Sequence, residues 1–259
     1  MKKIKIGKKE VEIYDSIDEL PVTRYHRLNK MLLIDVGIGS DIADIDRHIE
    51  KAVIYIRNKQ HEMAATELNN LRQNIYNIQT GLSPKNLAFA AIVKSIDGRE
   101  CNDLTDDGLR ATIELLNNEP QKEITTSLEE VKKKIDEELQ MYFPQLFDDA
   151  TIKEYYDELR RRTLAVIDLI INGETEERLT LIEKITTNLL IYNKPRVFTG
   201  VDNMEITYDK QFERMCIMLA EQLNVEPKKY TVMEYYNAFE YMKEKIKNQT
   251  KAIKRNKAV

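Results

Sequence analysis

The sequence has little of what catalytic and metal-binding proteins usually display. Its 259 residues include three histidines, two cysteines, eight glycines and no tryptophan. His61-Glu62 begins like the zinc motif H-E-x-x-H, but residue 65 is Ala65, so the second ligand is absent. His26 and His48 stand on separate helical patterns and supply no ligand pair. Cys101 and Cys216 lie far apart with no C-x-x-C, the pattern of two ordinary thiols in a reducing cytosol. Serines are few and none sits in G-x-S-x-G, which excludes a nucleophile elbow. Carboxylates are so abundant that no pair of them marks general acid–base work, and solvated helix faces account for them. No catalytic residue, no metal ligand and no cofactor is expected, and the chain is read as a non-enzyme.

Long apolar runs are also missing. The longest, such as L-A-V-I-D-L-I-I at 164–171, is broken by charge and falls well short of the roughly 20 residues a membrane span needs. The N-terminal M-K-K-I-K-I-G-K-K-E is basic but no apolar segment follows it, so neither a secretory signal nor membrane residence is expected. Forty basic side chains against 44 acidic ones leave a net charge of −4, so no global basic field marks a nucleic-acid coat.

What is present is helical periodicity behind a short β segment. I-K-I at 4–6 and E-V-E-I-Y at 10–14 alternate apolar and polar residues around Gly7-Lys8-Lys9, which predicts a β-hairpin. Two strands alone are marginal in water, so the hairpin is expected to pair with a further strand, preferably across a subunit boundary. From Ser16 the period becomes that of helices, with Pro21 in a first turn and Tyr25, Leu28, Leu32 and Leu33 on one face.

V-G-I-G-S-D-I at 36–42 raises the question of a phosphate loop. A dinucleotide fingerprint would need a preceding strand, a third glycine and a crossover, and a P-loop would need a lysine, none of which occurs between Lys30 and Lys51. Asp41, Asp44 and Asp46 lack the glycine and glutamate of an EF-hand. The stretch therefore reads as a turn between two helices, with Ser40 or Asp41 capping the second. That second helix carries Ile42, Ile45, Ile49, Val53 and Ile56. It forms a helical hairpin with residues 60–80, whose Ala64, Leu68, Leu71, Ile75 and Ile78 are expected to pack inward.

Gly81 ends that helix, and Ser83-Pro84 starts another through L-A-F-A-A-I-V up to Asp97-Gly98. Further helices are expected near 106–118, from Ser127 (a capping box in S-L-E-E) to about Tyr142, and near 150–171, 176–192, 208–224 and 231–248. Residues 193–203 read as an irregular loop. The fold class is mainly α, a multi-helix bundle with a short N-terminal β-hairpin. The expected division is a hairpin arm (1–15), an N-terminal helical domain (16–120), a central long-helix region (121–200) and a C-terminal helical pair with a basic tail (201–259). The Tyr155-Tyr156 and Tyr235-Tyr236 pairs read as half-buried packing residues.

One charge feature stands out. From Lys243 to Val259 seven basic residues face one acid, a local charge of about +6 that leaves about −10 on the remainder. Lys251, Lys254, Arg255 and Lys257 are the candidate partner-docking residues. Their expected contact is an acidic neighbour, with DNA bound only nonspecifically, because the tail offers no aromatic ring to stack on bases.

Four phrases carry a family resemblance: S-I-D-E-L-P-V-T-R-Y-H-R-L-N-K-M-L-L-I-D-V-G-I-G-S-D-I-A-D-I at 16–45, E-L-N-N-L-R at 67–72, L-A-F-A-A-I-V-K-S-I-D-G at 87–98 and E-L-Q-M-Y-F-P at 138–144. Together these resemble structural proteins of crAss-like phages infecting Bacteroidales, in particular those encoded near the portal that build the rings of the short tail and its connector. The resemblance spans about the first two thirds of the chain. It implies a virion part made in the bacterial host cytoplasm, a cyclic homo-oligomer contacting the portal and other tail proteins. A tail-assembly chaperone or scaffold absent from the mature particle is the second reading, and a phage enzyme or nucleic-acid-processing factor in the host cytosol the third.

Overall fold

The computed structural model describes residues 1–117, 119–147, 150–192 and 194–256, by backbone alone at 150–153, 190–192 and 250–256. The protein is mainly helical, with an N-terminal β-hairpin set in a small antiparallel sheet. β1 (Lys2–Ile6) and β2 (Lys9–Ile13) pair in register around Gly7, whose φ of +54° suits a residue without a Cβ.

The further strand that the hairpin pairs with belongs to the same chain, not to another subunit as preferred. β2 pairs with β3 (Val93–Ile96) of the same chain, and β3 turns back into the two-residue β4 (Arg99–Glu100). The apolar run after Pro84 is therefore a helix only as far as Ile92. Asp97 and Gly98, expected to end a helix, instead form a two-residue turn with φ of +50° and +80°, the conformation that joins right-twisted strands.

Helices build the rest. α1 (Val22–Gly37) packs on α4 (Pro84–Ile92), which is buried nearly all round. α2 (Ile42–Arg57) and α3 (His61–Thr80) form the expected helical hairpin, and Gly81 closes α3 in the left-handed conformation. α5 (Asp106–Glu114) is capped by Thr105.

α6 runs from Gln121 to Tyr142, six residues earlier than the S-L-E-E signature suggests. Pro120 precedes its first residue, and Ile124 already lies on the buried stripe with Leu128, Val131, Ile135 and Leu139, so burial overrides the local cap signal. α7 (Ala150–Asn172) and α8 (Glu176–Tyr192) form a second helical hairpin. α9 (Met204–Leu223) begins at the Asn203 cap, four residues before its expected start, and α10 (Val232–Asn256) is the last helix.

The main core gathers Ile6, Val11 and Ile13 of the hairpin with α1, α4 and the inner stripe of α6. Carboxylates of the chain between α5 and α6 and of α6 itself hold free amides of the hairpin turn and of the segment that leads into α1. Gly7 N donates to Glu123 at 2.8 Å, Lys8 N to Glu119 at 3.0 Å, and Ile17 N to Glu138 at 2.8 Å.

The V-G-I-G-S-D-I stretch is the expected interhelical turn, and its polar groups are already spent. Ser40 N and Asp41 N donate to Asp44 Oδ2 at 3.0 and 3.4 Å, and Asp44 N donates back to Asp41 Oδ1 at 2.9 Å, a capping box. The Asp44 carboxylate thus occupies the place a phosphate would need. Gly39 has φ +76°, and a Cβ on it would collide with Asp44.

Two outcomes are expected. Gly39→Ala strains the backbone and displaces the cap, lowering stability by on the order of 2 kcal/mol in urea unfolding with no change in nucleotide response. Ile6, Val11 and Ile13 are wholly buried, together worth on the order of 5–8 kcal/mol, which rivals the stability of an entire domain. Deleting residues 1–14 should abolish the helical circular dichroism. Retention of a cooperative helical fold would show the hairpin to be an appendage.

Candidate interaction surface

Hydrophobicity and burial part company on the α2–α3 hairpin. His48, Ala52 and Tyr55 are the buried residues of α2, and Ala64, Glu67, Asn70, Asn74 and Asn77 those of α3. The apolar stripe of α2 is largely exposed, Ile42 by 73%, Ile49 by 46%, Val53 by 41% and Ile56 by 52%, with Ile45 half-buried. On α3 only Ala64 lies inward as expected. Leu71 is half-buried, and Leu68, Ile75 and Ile78 are exposed.

A polar seam replaces the apolar one. His48 Nδ1 meets Glu67 Oε2 at 2.5 Å and its Nε2 meets the Ile38 carbonyl at 2.9 Å, so both ring nitrogens face acceptors at 1% exposure. A proton must therefore bridge the pair, on the imidazole or on the carboxyl. Lys51 Nζ stands 3.8 Å from the other oxygen of Glu67. Asn74 and Asn77 donate to the carbonyls of Ile38 and Gly39 at 3.2 and 3.0 Å, and Asn70 donates to Arg196 O at 3.0 Å. These bonds take up the carbonyls of the α1–α2 turn and tie the hairpin to the 194–203 loop, whose Phe198 ring abuts Gly37.

The seam decides where the apolar residues go. In α2, Ile49, Val53 and Ile56 each follow a buried residue by one position, as do Leu68, Ile75 and Ile78 in α3. One position is about 100° of rotation, and in an antiparallel pair the same rotational sense leads to the same side. Both stripes therefore lie on one side of the hairpin, as a patch on the order of 600 Å², the upper end for the largest patch of a monomer.

The other candidates carry no chemistry of this scale. A cavity of about 220 Å³ opens between α1, α9 and α10, walled by Tyr25, His26, Tyr208, Phe212, Tyr235 and Tyr236. His26 stacks on Tyr208 and Phe212, and its Nε2 meets Asp209 at 2.9 Å while Lys30 pairs with the other oxygen of that carboxylate at 2.7 Å. Burial holds His26 below its ordinary value and pushes Tyr208 up to about 12, so the cavity wall is uncharged at neutral pH.

Of the tyrosine pairs, Tyr235 is buried and Tyr155 and Tyr236 are half-buried, whereas Tyr156 is 62% exposed. Cys101 and Cys216 are free and buried, and burial pushes the Cys216 thiol up to about 11, which removes its nucleophilicity. Among the described residues no group of three His, Cys, Asp or Glu side chains is arranged to hold a metal, and no helix is long and apolar enough to cross a membrane. Lys251, Lys254 and Arg255 fall on the last turns of α10 and Lys257 beyond it, and all four side chains lie outside the described residues.

Comparison of the chain with protein-family models, with curated proteins and with solved structures finds no match in any of the three.

The seam makes a quantitative demand. Glu67→Leu or His48→Leu leaves a buried polar group without its partner and should each cost about 3 kcal/mol. The double variant should cost clearly less than the two singles together, measured as a double-mutant cycle in urea. Strict additivity would show that the two side chains do not interact.

Proposed function

We propose that this protein is a structural component of a phage virion, a ring-forming part of the short tail or portal-proximal connector that acts by self-association and by docking to neighbouring tail proteins. The observation that carries the reading is the apolar side of the α2–α3 hairpin, held outward by a polar seam. Side chains that would stabilise an ordinary core if turned inward are instead presented to whatever packs against the chain. A subunit of a closed ring needs such a surface, and it needs no catalytic group. The resemblance of residues 16–45, 67–72, 87–98 and 138–144 to crAss-like phage structural proteins supplies the biological setting. The basic C-terminal segment suits docking on an acidic neighbour through contacts screened by salt.

Purified particles resolved by denaturing electrophoresis provide the test. A band near the chain mass of 30.4 kDa, stoichiometric with other tail proteins, is expected. Its absence from mature particles while the protein accumulates during infection would replace this reading with an assembly chaperone or scaffold.

A further inference from the structure

The chain carries a second unpartnered apolar side, on the α7–α8 hairpin. α7 packs chiefly against α8, with Ile185 and Leu189 buried and Arg162 Nε donating to Thr186 Oγ1 at 2.9 Å. Its outward side exposes Tyr156, Leu164, Ile167, Ile170, Ile171 and, from α8, Leu179, by between 44% and 73%. Taking the seam with α8 as the reference, Tyr156, Ile167 and Ile170 of α7 and Leu179 of α8 are turned in the same rotational sense and share one side, whereas Leu164 and Ile171 point away from the seam and Leu181, 47% exposed, is turned the other way.

We infer that the apolar side of the α2–α3 hairpin of one copy packs on the apolar side of the α7–α8 hairpin of the next copy, forming a four-helix contact between subunits. The inference deepens the ring reading by naming the partner of the α2–α3 surface.

Area and charge both favour this occupant. The two sides together offer on the order of 1,000 Å² of apolar surface, the least that a specific interface needs. With the two interhelical turns side by side, Arg57 and Lys59 at the α2–α3 turn meet Glu174, Glu176 and Glu177 at the α7–α8 turn. All five are exposed, and none makes an ion pair among the described residues. In this alignment α2 lies against α8 and α3 against α7, because both contact sides are reached by the same rotational sense. Opposite charges thus coincide at the turn end of the contact.

A symmetric contact of α2–α3 with its own copy would leave the α7–α8 side bare, whereas the head-to-tail contact covers both with one interface. Because the two surfaces differ, each copy offers one donor and one acceptor side, and repetition closes a ring or extends a filament.

Single cysteines test the contact in the full chain, since Cys101 and Cys216 are buried. Val53→Cys and Leu179→Cys proteins, oxidised separately, should stay uncross-linked. Mixed, they should yield a disulfide dimer, and the Val53→Cys/Leu179→Cys double variant should yield a ladder of multimers. Arg57→Glu/Lys59→Glu should lower the mixed cross-link several-fold at low salt, and Glu176→Lys/Glu177→Lys on the partner should restore it.

Cross-linking of Val53→Cys with itself would overturn the inference in favour of a symmetric contact. No cross-link in the mixture, with light scattering reporting a monomer, would overturn it in favour of a different protein on these surfaces. A positive mixture together with no band in purified particles would leave the contact standing and sink the virion reading, so the two failures are distinguishable.

Discussion

Arg24 holds the one junction from which the remaining architecture follows. The chain leaves α4 and enters β3 without a loop, which strips the last carbonyls of the helix of their usual partners. The guanidinium of Arg24, on α1 and 4% exposed, takes the carbonyls of Ala91 and Val93 at 3.1 and 2.8 Å and that of Cys101 at 2.5 Å, and it lies over the Tyr14 ring. Burial lowers its pKa from a value so high that the charge persists. Five donors in a rigid fork suit three carbonyls arriving from different directions, and a lysine could not reproduce the set. With this junction fixed, β3 lies beside β2, the hairpin closes over α6, and α1 is anchored across α4.

The α2–α3 hairpin follows a different logic. It is attached to this frame by directional bonds between side chains and carbonyls and has only a small apolar nucleus around Tyr55 and Ala64. Polar seams contribute modest net stability but fix register strongly, because any slip leaves buried groups unmet. Such an attachment holds an apolar surface outward in one defined orientation. An apolar core could not do the same, since it would recruit those isoleucines inward.

Much of the fold was legible in periodicity and punctuation. The hairpin, the helical pair 41–57 with 60–80, the helices at 150–171 and 176–192, and Gly81 as a stop follow from apolar spacing and from residues tolerant of positive φ. Two things were hidden for identifiable reasons. Asp97-Gly98 was read as a helix end although D-G after V-K-S-I is a hairpin signal, because the alanines of α4 dominate the window. The inversion on α2–α3 escaped because periodicity tells which residues share a face and not which face turns inward. The signal was present in Glu67, Asn70, Asn74 and Asn77, spaced by three, four and three, a polar stripe too regular for mere solvation. Charge patterning singled out the basic tail, which is legible as composition only, whereas the surface that best supports assembly lay among residues first assigned to the core.

The start of α10 is bound to the start of α1. Val22 N donates to Tyr230 O, Val232 N to Leu20 O and Met233 N to Ile17 O, and the side chain of Val232 belongs to the main core. During synthesis the segment at 17–22 therefore waits for more than 200 residues before its partners leave the ribosome. Contacts of such long sequence separation close late. Docking of α10 on the start of α1 is thus a late step of folding, whereas the α2–α3 and α7–α8 hairpins rest on local contacts that form early.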